Sequence, residues 1–252
     1  MTSETPTQAT ATEFQTPYRQ IRALYDDETI TVYQAYNRAI ASAAVAAQKL
    51  HASPKFRPTR MTWIKPSWAW MLYRAGYSYK DPGQERILAL KMRHADFVGL
   101  LEKAVLTTHA AAVETPAETG GSSNNEEAVE PGAGAKKGRR QRRDPAAKPP
   151  DVKVQWDPER TVRLGRLEYR SIQIGIPAAV SPEWTENWIV GIEDVTEKAR
   201  ELKRVLDERP DVTLAELVEM GLVPVERPFE VSESLQKSLR MVLEDLGEPG
   251  TS

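Results

Sequence analysis

The chain contains no cysteine. That excludes disulfides, thiolate nucleophiles, iron–sulfur clusters and cysteine-based zinc sites together. Histidine is almost as scarce. His51, His94 and His109 are the three, and no two stand at a metal-ligand spacing such as H-x-x-x-H. No Gly-Lys dipeptide occurs, so the phosphate loop G-x-x-x-x-G-K-[ST] is missing. Gly132, Gly134 and Gly138 are spaced G-x-G-x-x-x-G, which is not the dinucleotide fingerprint. The nucleophile elbow G-x-S-x-G is missing too. No run approaches the roughly 18 apolar residues of a membrane-crossing helix. The N-terminal stretch is rich in Thr, Ser, Ala and Glu, with no basic segment leading into an apolar one. A secretory signal is therefore not expected, and a cytoplasmic location is.

Charge of one sign is also lacking. The 34 basic and 36 acidic side chains give a net charge of −2 over 252 residues. A globally basic nucleic-acid coat is excluded, so any polyanion must be gripped locally. With 40% hydrophobic residues the chain can bury a sizeable core.

Composition divides the chain. Residues 1–16 read as a disordered tail, and 17–111 as the first part of a catalytic domain. From 112 to 150, Gly, Pro, Ser, Glu and Ala dominate with no apolar period. Such a segment cannot offset its chain entropy by burial, so it is expected to be a disordered, low-complexity basic insertion. Residues 151–230 then complete the domain, and 231–252 form a C-terminal helix and tail. The basic run Lys136–Arg143 inside the insertion suits a polyphosphate grip or a nuclear address, or is simply a solvated charge block.

The periodicities mix strands and helices without a βαβ rhythm. The expected class is α+β: a single mixed-sheet domain flanked by helices. Strands are expected at 29–34, 61–65, 84–93, 152–156 and 169–176. Helices are expected at 36–50, from Pro66 to Ala75 with Gly76 as cap, and at 96–106. Another is expected from Ser181 to Glu208, broken near Gly191, and a short one at 213–220 with a Thr213–Glu216 capping box. A last helix is expected at 232–246.

Three constellations carry possible chemistry. Lys65 and Ser67 stand at the start of a helix, where free amides and the dipole favour an anion. Trp70 and Arg74 follow at helical spacing. Around them Arg60, Arg86 and Arg93 are interleaved with aromatics, a pattern that suits nucleotide bases and phosphates, or a core with cations reaching to water. The second constellation is Gln155, Asp157 and Glu159, followed by a strand on which Ser171 and Gln173 share a face opposite Arg170. The third is the adjacent pair Glu193 and Asp194, which could bind a guanidinium.

The runs YRQIRALYDDETITVYQAYN (from Tyr18), MTWIKPSWAWMLYRAGY (from Met61), GQERILAL (from Gly83), VQWDPER (from Val154), YRSIQIGI (from Tyr169) and NWIVGIEDVT (from Asn187) resemble a bacterial and fungal family filed as a domain of unknown function. Its fungal branch is linked to arginine-containing cyclodipeptide synthases. The resemblance implies condensation of arginyl-tRNA with a second aminoacyl-tRNA to a cyclo(Arg-Xaa) diketopiperazine in secondary metabolism. Aminoacyl esters are already activated, so no cofactor and no metal is expected; the partners are aminoacyl-tRNAs, not a membrane. Site roles follow from chemistry rather than from the resemblance. Ser67 is the first candidate nucleophile and Ser171 the second, with Lys65 or the helix amides stabilising an oxyanion. Tyr33 and Tyr36 are candidates to position an amine or relay protons. Glu193 with Asp194, or Asp157 with Glu159, would read the guanidinium. Gln34, Trp70, Arg74 and Gln173 complete the substrate contacts, and Arg60, Arg86 and Arg93 would hold tRNA phosphates. Two alternatives stay open: an NAD-dependent ADP-ribosyltransferase-like enzyme, and a non-catalytic RNA-binding module.

Overall fold

The computed structural model describes residues 16–107 and 151–242. The expected tail and the insertion with its basic run fall outside the described residues; the last helix, expected at 232–246, ends at Ser238.

In chain order the elements begin with β1 (Arg22–Ala23), β2 (Thr29–Tyr36), α1 (Arg38–Ala47), β3 (Thr62–Ile64) and α2 (Trp68–Ala75). Next come β4 (Arg86–Arg93), α3 (His94–Glu102), β5 (Ala104–Leu106), β6 (Val152–Arg160) and β7 (Arg166–Ile176). A single helical turn α4 (Ser181–Glu183) runs into a π-helical turn at Trp184–Trp188. Then follow β8 (Ile189–Asp194), α5 (Thr196–Glu208), α6 (Leu214–Glu219), β9 (Arg227–Pro228) and α7 (Glu233–Ser238).

The class is α+β, with mixed sheets flanked by helices. Antiparallel pairing gives a three-stranded sheet, β2-β4-β8. A four-stranded sheet runs β3-β7-β6-β5, with β5 parallel to β6 and the other pairs antiparallel. The short pair β1-β9 forms a third. The two larger sheets meet at one bridge: Tyr33 N–H donates to Lys65 O at 2.7 Å, and Lys65 N–H donates back to Tyr33 O at 3.1 Å.

The three-stranded sheet is buried on both faces because its strands place alternate residues on opposite sides. Ile30, Val32, Leu88 and Leu90 face one core, which also takes Trp156, Ile172 and Ile174 from the four-stranded sheet. Tyr33, Ala35, Ile87 and Ala89 face a second core, closed by Trp68 and Leu72 of α2 and by Ala199 and Leu202 of α5. The four-stranded sheet gives its apolar face to the first core. Its other face is polar, and the candidate site lies there.

Three local expectations change. Residues 189–194 form strand β8, not helix. Ile189 and Ile192 are buried, and the segment pairs with the second edge of β4. That pairing outweighs a helical reading of the run through Gly191. Residues 104–106 likewise leave the helix to pair with β6. Strand β6 runs on through Pro158, which is tolerated at a register shift where the missing N–H interrupts little. The capping box of α6 forms as expected, with Thr213 and Glu216 bonded reciprocally.

Candidate functional site

Strand β6 sends Val154 and Trp156 into the core and Gln155, Asp157 and Glu159 the other way. The register sets Gln155 opposite Gln173 and Asp157 opposite Ser171 on β7. Directly opposed residues share a face, so one polar patch arises from two strands. Helix α2 packs across this patch. It begins at Trp68 rather than at Pro66, and Ser67 is its N-cap, accepting from the Trp70 N–H at 3.0 Å. Gly76 ends the helix at φ 54°, a left-handed conformation suited to glycine.

The Ser67 cap couples helix to sheet. Its hydroxyl donates to Glu159 Oε1 at 3.0 Å, and Arg160 N–H donates to the same oxygen at 2.7 Å. Glu159 is 4% exposed, Ser67 1% and Ser171 4%. Burial raises the Glu159 pKa; Arg160 N–H and the hydroxyls of Ser67 and Ser171 oppose that rise. Asp157 accepts from Gln173 Nε2 at 2.6 Å, and the same amide donates to Gln155 Oε1 at 2.7 Å. Burial raises Asp157 also, with Gln173, Lys65 and Arg74 opposing. A third carboxylate enters from the chain before β9. Glu226 Oε1 accepts the Trp68 N–H at 2.6 Å, one of the free amides of the α2 N-terminus. Burial, with Glu159 nearby, pushes Glu226 up to about 8.

Lys65 lies beside Asp157. It is 3% exposed and donates to Trp63 O at 3.0 Å. Burial, then Arg74, lowers its pKa to about 7, while Asp157 opposes. An amine held near neutrality exchanges a proton readily at physiological pH, a property common at reactive sites. At the edge, Arg160 lies 3.9 Å from the centre of the Tyr73 ring, which stacks on Trp70 at 5.1 Å.

The fold thus gathers Lys65, Ser67, Trp70, Arg74, Asp157, Glu159, Ser171 and Gln173 from three separated segments. The other candidates lie elsewhere. Tyr36 is buried in the first core. Tyr33 sits behind Trp68, with ring centres 5.1 Å apart. Gln34 is opposite Leu88 in the sheet, half-buried. Glu193 lines a separate cavity with Tyr33 and Trp68. Asp194 precedes α5, accepts from the Thr196 N–H at 3.0 Å, and pairs with Arg86 at 3.3 Å. Arg93 pairs with Asp96 at 3.4 Å, and Arg60 is exposed on the turn before β3.

Sequence reasoning placed Gln155 in the cluster with Asp157 and Glu159 but missed Arg22, Tyr169 and Glu226. Gln155 was legible, since it shares the two-residue period of Asp157 and Glu159. Arg22 donates to Glu226 O at 3.0 Å, and its charge reaches Glu159, Glu226 and Tyr169. Glu226 lies in irregular chain, and no local pattern points to it. Among the described residues, no group of three or more His, Asp or Glu could hold a metal ion, and no helix is long and apolar enough to cross a membrane.

Fold and site together describe an α+β protein with a carboxylate-rich, lysine-bearing patch beneath a helix N-terminus. The chain belongs to the family described as Domain of unknown function (DUF4291), whose pattern spans residues 20–229. Comparisons with curated proteins and with solved structures find no match.

Proposed function

We propose that the chain is a tRNA-dependent aminoacyltransferase that joins arginine to a second amino acid and closes the pair to a cyclo(Arg-Xaa) diketopiperazine. The observation that carries this reading is the cluster of three buried carboxyl groups, Asp157, Glu159 and Glu226, at the start of α2, with Lys65 beside Asp157. Among the described residues none of the three has an ion pair within 4 Å, and burial raises all three, Glu226 to about 8, so an incoming cation would draw them into the charged form. A guanidinium is the natural complement, because its planar fork matches carboxylates two bonds at a time.

The chemistry needs placement more than activation. The α-amine of one aminoacyl group attacks the ester carbonyl carbon of the other. The carbon–oxygen ester bond breaks, the tRNA ribose oxygen leaves, and it carries off the proton lost by the amine. A second, internal attack closes the ring in the same way. Neutral Lys65 takes the proton from the attacking amine; protonated Lys65 then faces the oxyanion and returns a proton to the leaving oxygen. Ser67 and Glu159 also have the spacing of a nucleophile and its base. Yet Ser67 is committed as a helix cap. That favours direct aminolysis, with Ser67 positioning Glu159. Exposed Arg74 and Arg60 would meet acceptor-stem phosphates.

One observation favours a second reading. Two hydroxyls on a buried glutamate beside Arg22 would also suit the developing cation at a ribose carbon, as in ADP-ribosyl transfer from a dinucleotide. Expression in a host with ordinary tRNA pools separates the two. Arginine-containing diketopiperazines in the medium, lost on Glu159→Gln, support the first. Their absence, with nicotinamide release by the purified chain, overturns it.

A further inference from the structure

The polar face of the four-stranded sheet continues past the carboxylates to an end that the proposed chemistry leaves unused. One row there crosses four strands. The register sets Trp63 of β3 beside Gly175 of β7, Gly175 beside Lys153 of β6, and Lys153 beside Val105 of β5. Residues opposed in this way share a face. Gly175 leaves a gap in the row, and the Trp63 ring lies across it: a Cβ at 175 would fall 3.0 Å from Trp63 Cη2 and 3.1 Å from Cζ2. Trp63 and Lys153 are half-buried and Val105 is exposed, so this end of the face meets solvent. Lys153 pairs with exposed Asp151 at 3.9 Å, a weak surface contact.

The next row is Gln173 and Gln155. The Gln173 amide nitrogen donates to Gln155 Oε1 and to Asp157 Oδ2, which occupies both of its hydrogens. Gln173 Oε1 and Gln155 Nε2 are left, an acceptor beside a donor. Neither has a partner among the described residues, and neither is sealed from water. That pair complements the edge of adenine, where an amino N–H stands next to a ring nitrogen. In guanine an oxygen replaces that amino group and would meet Gln173 Oε1 oxygen to oxygen. Cytosine carries the matching pair on one edge, but adenine carries it on two and has the larger face to stack. An aromatic ring on one side of the pair suits the face of a base, and a lysine on the other suits its phosphate.

We propose that Trp63, Gln155, Gln173 and Lys153 bind an adenine nucleotide. The base stacks on Trp63, its amino group donates to Gln173 Oε1, a ring nitrogen accepts from Gln155 Nε2, and Lys153 faces the phosphate. Asp157 lies two residues along β6 from Gln155, about 7 Å, so the ribose on that base is within reach of the carboxylate cluster. As to source, the inference rests on the proposed function: the group held here is the terminal adenosine of the acceptor stem, which carries the aminoacyl ester. The dinucleotide of the second reading carries the same chemical group.

Titration calorimetry of the full chain with AMP, IMP and CMP tests the assignment without any turnover. AMP binds saturably. IMP, whose oxygen replaces the amino group, binds about tenfold more weakly or worse, and CMP binds more weakly than AMP. Gln155→Glu keeps the acceptor for Gln173 and removes the donor; with unchanged circular dichroism it weakens AMP about tenfold. Trp63→Ala weakens AMP, and Trp63→Phe restores most of the loss. Lys153→Ala brings AMP down to the affinity of adenosine. The proposal is overturned if AMP does not bind the folded chain, if IMP or CMP binds as tightly as AMP, or if Gln155→Glu binds AMP as wild type does. The trinucleotide CCA and NAD then separate the sources. Tighter binding of CCA sustains the adenine site together with the tRNA reading. Tighter binding of NAD sustains the adenine site and removes the tRNA reading alone.

Discussion

Lys65→Met offers the sharpest physical test of the buried site. Methionine keeps the length and apolar stem of lysine and removes its charge. In the folded chain Lys65 gives up its proton near pH 7; unfolded, it keeps it until about 10.5. Between those values the unfolded state binds one proton more, so stability rises with pH. The slope is about 1.4 kcal/mol per pH unit, and the whole effect is on the order of 5 kcal/mol. From pH 7 to about 9.5 wild type should gain roughly 3 kcal/mol relative to Lys65→Met. Loss of the hydrogen bond to Trp63 O costs the variant about 1 kcal/mol at every pH, so it shifts the difference without tilting it. Urea unfolding followed by tryptophan fluorescence, at constant ionic strength across the pH range, measures both curves. Curves that stay parallel from pH 7 to about 9.5 would refute the depressed pKa of Lys65, and with it the lysine's role as proton carrier.

Other outcomes follow from the same geometry. Glu226 runs the opposite way: its folded pKa of about 8 lies above the usual 4.5, so the folded state holds the extra proton and stability falls as pH rises between the two. Glu226→Gln keeps an acceptor for the Trp68 N–H and should flatten that fall in the same unfolding experiment. Ser67→Ala removes the α2 cap and the hydroxyl on buried Glu159; about 2 kcal/mol of stability should go, read as a lower urea midpoint at unchanged slope. If direct aminolysis holds, a folded Ser67→Ala chain retains measurable turnover.

Much of the site was readable in the sequence because strands alternate strictly. Once YRSIQIGI and VQWDPER are strands, Ser171 with Gln173 and Asp157 with Glu159 must each share a face. Lys65 and Ser67 were readable as the start of a helix. What the sequence could not show is which sheet each strand joins. Residues 189–194 look like continuing helix until the second edge of β4 is there to pair with them, and that pairing carries Glu193 away from Asp157 and Glu159. Asp194 read as a ligand for guanidinium, but it is taken up by the Thr196 N–H and by Arg86. Glu226 depends wholly on tertiary placement, since a short irregular connection after α6 brings it to the α2 N-terminus.

The central claim is that this cluster joins two aminoacyl esters. The direct measurement is mass analysis after purified chain is mixed with arginyl-tRNA and a pool of other aminoacyl-tRNAs. The account predicts a cyclic arginine-containing dipeptide that depends on Glu159 and Lys65. A folded chain that leaves both esters unjoined contradicts it.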